Sequence, residues 1–126
     1  RTMTKPTQRL TIASIKAMFD KGISVNAINE IHNTPLHFAA IDNNLDLAKF
    51  VLDRSANINA KNIFDLTPLH FASVENSLAV GKLLIKMGAD INAKDMYGKT
   101  CLDLAKSEKQ QDMIELLQSY TGKQND

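Results

Sequence analysis

The chain has 126 residues, 44% hydrophobic and 23% charged, which is enough apolar material for one domain with a continuous core. Its 15 basic and 14 acidic residues leave a formal charge of +1, a balance that points away from nucleic acid and membrane surfaces as partners. No run approaches the roughly 20 apolar residues of a membrane span. The opening RTMTKPTQRLT lacks the apolar core of a signal peptide, and a single cysteine, Cys101, excludes an internal disulfide, so a reducing compartment, cytoplasmic or nuclear, is expected.

In chain order, residues 1–7 do not match the TPLHFAA found one period later, whereas LTIASIKAMFDKGISVNA from Leu10 matches a second helix and its exit turn. Residues 1–28 are therefore expected to form a partial or capping unit. At Thr34 the chain offers an N-cap, and Pro35 fits the first helical position, where a missing N–H costs nothing. Leu36, Ala39 and Ala40 then fall at helical spacing, with alanines small enough to admit a close neighbour. A second helix is predicted from Leu45 through LDLAKFVLD, ending at SAN, and INAKNIFDL follows as an extended, hairpin-like connector.

The pattern then repeats. NTPLHFAAIDNNLDLAKFVL from Asn33 is echoed by LTPLHFASVENSLAVGKLLI from Leu66, and Thr34, Thr67 and Thr100 stand at a constant spacing. The triplets VNA at 25–27, INA at 58–60 and INA at 91–93 keep the same step, giving units 29–61, 62–94 and 95–126 within one domain. Gly88 supplies a left-handed helix exit more readily than Ser55 at the equivalent place. Gly81 inside the second helix is expected to cost about 1 kcal/mol relative to alanine. In the last unit Cys101 replaces the proline and Asp103 the histidine, KQQDMIELLQSY turns polar, and TGKQND is expected to fray, as suits a terminal unit facing water.

The segments TPLHFAA, TPLHFAS, ANINAKN and GADINAKDMYGKT resemble the ankyrin repeat, over nearly everything from Phe19 to Leu117. The resemblance implies an all-α solenoid of stacked antiparallel helix pairs with short β-hairpin-like connectors, in which contacts run mainly between neighbours. It also implies that His37 and His70 are structural, bonding backbone groups of adjoining connectors, and no cysteine or carboxylate stands at a zinc-like spacing from them. His32 and Asp65 occupy the place of the family's glycine before threonine, kept here as Gly98, and read as left-handed turn residues. Asn59 and Asn92 match the connector asparagine that oxygen-dependent hydroxylases modify in some members, with Leu84 eight residues before Asn92; closing the turn by side-chain hydrogen bonds is the preferred role.

No phosphate-cradling glycine loop, nucleophile–base arrangement or carboxylate pair is present in the pattern, so the chain is expected not to be an enzyme and to hold no cofactor or metal. Cys101 lies near a helix start, which favours a thiolate, yet an ordinary, partly buried thiol is expected. If the family geometry holds, connector tips and the exposed side of each first helix line a concave surface free of packing duty. Its residues are Glu30, Ile31, Asn33, Ile41 and Asp42; then Ile63, Phe64, Leu66, Val74 and Glu75; then Met96, Tyr97, Lys99, Ser107 and Glu108. The number of apolar and aromatic side chains among them points to a monomeric module that binds another protein, with Phe64 and Tyr97 as anchors. An alternative is the targeting arm of a larger enzyme, membrane-active protein or host-directed effector whose working domain lies outside this chain. A spring or spacer in a longer array is a third reading, and a nucleic-acid role the least favoured.

Overall fold

Threonine followed by proline sets the helix starts. Thr34 and Thr67 adopt extended backbone, their hydroxyls accept the amide N–H of His37 and His70, and a helix begins at the intervening proline. In return the backbone N–H of each threonine donates to Nδ1 of the same histidine at 3.0 Å, so an imidazole takes the part usually played by glutamate or glutamine. At the third start Asp103 does this through Oδ2, accepting from the Thr100 N–H at 3.0 Å.

The computed structural model describes residues 12–125, and these hold seven helices and no strand. They are α1 (Ile12–Asp20), α2 (Pro35–Asp42), α3 (Leu45–Leu52), α4 (Pro68–Glu75), α5 (Leu78–Lys86), α6 (Cys101–Ser107) and α7 (Gln111–Asn125). Residues 1–11, including the stretch without a match in the repeat, lie outside the described residues. At the other end, where the sequence predicts fraying, α7 continues through TGKQN.

Within each unit α2 packs on α3, α4 on α5 and α6 on α7; between units α2 packs on α4, α4 on α6, α3 on α5 and α5 on α7. The core is one cluster, with Leu36, Leu47, Leu69, Leu84, Met113 and Leu117 fully buried and Ala39, Ala40, Ala72 and Ala105 letting the first helices approach. Gly81 belongs to this packing. A Cβ there would sit 3.1 Å from Cε of Met113, so the missing side chain makes room for an α7 residue as well as weakening α5. The partial unit is held by aromatic contact: the Phe19 ring stacks on Phe50 at 5.6 Å, and the Arg54 guanidinium lies 3.7 Å from the Phe50 ring centre.

The helix exits are left-handed. Asn43 and Asn76 take φ of 52° and 56° after α2 and α4, and Ser55 takes 67° where Gly22 and Gly88 stand in the flanking units. A residue with a Cβ costs about 1–2 kcal/mol in this conformation, only partly offset by the greater freedom glycine has when unfolded. Ser55→Gly should therefore raise the melting temperature by a few degrees, measurable by thermal circular dichroism; an unchanged or lower value would show that the serine is not strained.

Units are also joined by hydrogen bonds from side chain to backbone. Asn43 Oδ1 accepts from the Val80 N–H at 3.1 Å, capping α5 from the preceding unit, while Ser77, the residue at the start of α5, turns its hydroxyl to donate to the Ala40 carbonyl. Asn76, one repeat later, has its Oδ1 buried without a hydrogen-bond partner, and there Gln110 donates to the Val74 carbonyl at 2.7 Å.

Candidate functional site

The three connectors share one turn built from different residues. Asn29, Asn62 and Asp95 each accept two backbone N–H groups through a single side-chain oxygen: from Ile31 and Asn33, from Phe64 and Leu66, and from Tyr97 and Lys99, all at 2.9–3.1 Å. The left-handed residue that completes each turn is His32, Asp65 or Gly98, with φ of 66°, 60° and 77°, as the sequence suggested.

This geometry pushes the two residues after the turn's first member outward. Consecutive tips are joined by one backbone bond each, the Ile63 N–H donating to the Ile31 carbonyl and the Met96 N–H to the Phe64 carbonyl, both at 3.0 Å. The connectors are hairpin-like in this sense, without a strand ladder. The bonds set the tip residues in a row in which Ile31 is 36% exposed, Ile63 49%, Phe64 41%, Met96 51% and Tyr97 75%. Beside the row Glu30, Glu75, Lys99, Ser107 and Glu108 are exposed, and Ile41, Asp42, Leu66 and Val74 are half-buried.

Asn33 departs from the expected surface. It is 5% exposed, because its Oδ1 accepts from Nδ2 of Asn62 at 2.9 Å inside the stack, so it is a packing residue and leaves the candidate set. The role expected of the connector asparagines also changes. Each turn here is closed by the residue two positions earlier, Asn57 or Asp90, while Asn26 and Asn59 reach into the following unit, accepting from the Asn57 N–H at 2.8 Å and the Asp90 N–H at 2.9 Å.

His37 and His70 are fully buried, and both are structural in their contacts. Because Nδ1 accepts from the threonine N–H, the proton is assigned to Nε2, which donates to the Leu66 carbonyl at 2.8 Å or the Lys99 carbonyl at 3.1 Å in the next connector. Burial holds both imidazoles below the ordinary histidine range, against the opposing pull of those carbonyls. Cys101 is fully rather than partly buried, and burial pushes its thiol up to about 12, so the helix start does not yield a reactive thiolate. Among the described residues no group of three or more histidine, cysteine or acidic side chains could hold a metal ion, and no helix is long and apolar enough to cross a membrane.

A cavity of about 310 Å³ opens beside the first tip, between the first and second connectors, with Asn26, Ile28, His32, Asn57 and Lys61 among its walls. Sequence reading singled out only His32 of these, as a turn residue. A comparison along the repeat would have drawn attention to the place, because Ile28 stands where Lys61 and Lys94 follow in later units.

Helix pairs stepped at a constant interval, capped by threonine and tied through bonded connector turns, define a helical-repeat solenoid. The family model described as ankyrin repeats (many copies) matches residues 19–72 and 52–105, and the chain belongs to the ankyrin-repeat family. Ankyrin repeats are generally protein–protein interaction modules. A comparison with curated proteins found no match.

Proposed function

We propose that this chain is a non-catalytic, monomeric binding module for a protein partner, working in a reducing compartment such as the cytoplasm. The observation that carries the reading is the row of connector tips: five apolar or aromatic side chains in register, each at least 36% exposed despite the backbone bonds between neighbouring tips. Contiguous exposed apolar surface on a soluble domain marks an interaction site. The surface comprises Glu30, Ile31, Ile63, Phe64, Met96, Tyr97 and Lys99 at the tips, with Leu66, Ile41, Asp42, Val74 and Glu75 beside them. Phe64 and Tyr97, equivalent positions one unit apart, are the anchors, since aromatic rings bury much area with few rotors to freeze. Asp42 and Glu75 favour a partner with lysine or arginine at its rim. The turns are fixed by paired hydrogen bonds before any partner arrives, so little ordering cost falls on binding.

The test is capture. Wild type and the Phe64→Ala, Tyr97→Ala double variant are immobilised, exposed to lysate of the native cell, and the retained proteins identified by mass spectrometry. A protein held by the wild type and lost by the variant, with helicity and melting temperature nearly unchanged, is the expected result. Equal retention would move the site elsewhere, and a large fall in melting temperature would make the two rings structural.

A further inference from the structure

The cavity beside the first tip is lined by polar side chains that include a lysine and no carboxylate. Asn26 Oδ1 already accepts from the Asn57 N–H at 2.8 Å, and Asn57 Oδ1 from the Asn59 N–H at 3.0 Å. The Thr34 hydroxyl, also in the wall, is turned to His37 at 3.0 Å. Each amide oxygen thus already takes one hydrogen within the fold, and the lining also carries the two side-chain NH₂ groups, the Lys61 ammonium and the His32 imidazole, with Ile28 as an apolar wall. No carboxylate is among the residues that form the cavity.

The chain contains its own control. One repeat further on, the positions of Asn26, Ile28, His32, Asn57 and Lys61 are held by Asn59, Lys61, Asp65, Asp90 and Lys94. Two carboxylates, Asp65 and Asp90, stand there where the first interval has His32 and Asn57, and they offset the lysines. The backbone is the same in both places: Asp65 and His32 share the left-handed turn, and Asp90 Oδ1 accepts from the Asn92 N–H as Asn57 Oδ1 does from Asn59. The difference between the intervals is therefore one of charge and hydrogen-bond sense.

From this we infer that the first interval receives a carboxylate, carried as an aspartate or glutamate side chain by the protein partner, with its aliphatic portion against Ile28. A charge-assisted hydrogen bond from Lys61, with neutral N–H donors of Asn26, Asn57 and His32 in the same wall, suits such a group. The inference rests on the protein-binding reading and deepens it, because an acidic side chain at the first connector and basic ones near Asp42 and Glu75 give the partner a direction along the row of tips.

The experiment uses small probes, so it does not depend on capture by Phe64 and Tyr97. Amide shifts of the ¹⁵N-labelled chain are followed by NMR at matched ionic strength with N-acetyl-glutamate N-methylamide, its glutamine counterpart, or inorganic phosphate. Saturable shifts at Asn26, Ile28, Asn57 and Lys61 are expected with the glutamate probe, at a Kd on the order of millimolar, and not with the glutamine probe. The His32→Asp, Asn57→Asp variant copies residues the next repeat already carries, so it should keep the melting temperature while weakening the glutamate probe at least tenfold. Equal shifts with glutamine, undiminished binding by the variant, or no saturable shift with glutamate would overturn the inference. Saturation by phosphate alone would do so too, reassigning the cavity to a phosphoryl group. None of these outcomes bears on the row of tips, which the capture experiment tests separately.

Discussion

His70→Ala is expected to destabilise the fold by about 3–5 kcal/mol and to release the third unit. The ring is fully buried, so truncation leaves a cavity of the kind that costs this much when an aromatic side chain is removed from a core. It also strands the Thr67 N–H and weakens the hold on the Lys99 carbonyl, and each buried polar group left without a partner adds about 1–3 kcal/mol. Against a total of about 5–15 kcal/mol for a domain, such a loss is a large fraction. It falls on the weaker boundary. Between the first two described pairs the stack also has Asn62 bonded to Asn33 and Asn43 capping Val80; at the next boundary Asp95, a carboxylate, has no N–H to donate, and Asn76 Oδ1 has no partner. Hydrogen exchange should show protection lost first in α6 and α7 while α2 and α3 keep theirs. A uniform loss below about 1 kcal/mol would show that the link to Lys99 contributes little.

Stability is also expected to fall as pH drops below about 6.5, the ordinary histidine value. His37 and His70 have folded-state pKa values lowered by burial, so over this window the unfolded chain takes up protons that the folded chain refuses. Their contribution is complete above the unfolded pKa and is lost downward at up to about 1.4 kcal/mol per pH unit for each ring, until the folded imidazoles protonate as well. Geometry works in the same direction as burial at Nδ1, where an added proton would face the donating N–H of Thr34 or Thr67. Urea unfolding at pH 7.5, 6.5 and 5.5 measures the slope. His70→Gln should roughly halve it over the same window, and an unchanged slope in that variant would assign the pH dependence to other groups.

The elements that were legible in the sequence are those whose cause is local. Thr34–Pro35 and Thr67–Pro68 announce helix starts because cap and first helical residue are adjacent, and His32 and Asp65 could be read as left-handed because the constant step set them beside Gly98. The apolar tips were legible for the same reason: once the turn is placed, the residues that must point outward follow. What escaped the sequence depends on partners far along the chain. Asn33 turns inward because Asn62 is there to meet it, Gly81 makes room for Met113, and Asn59 reaches the next connector instead of closing its own. The carboxylate-free lining of the cavity was hidden by the same distance, since it requires knowing that Asn26 and Asn57 meet across two units.

The direction of the bonds between units has a consequence for synthesis. Asn26 accepts from Asn57, Ile31 from Ile63, Asn33 from Asn62, Asn43 from Val80, Asn59 from Asp90, Phe64 from Met96 and Val74 from Gln110. In every one the oxygen belongs to the earlier residue and the hydrogen to the later; His37 and His70 run the other way. A chain emerging from the ribosome N-terminus first therefore carries these acceptors before the donors that fit them have been made. Each added helix pair brings mainly donors to acceptors that the chain before it already carries, so the two ends of the stack are not equivalent as places to extend it.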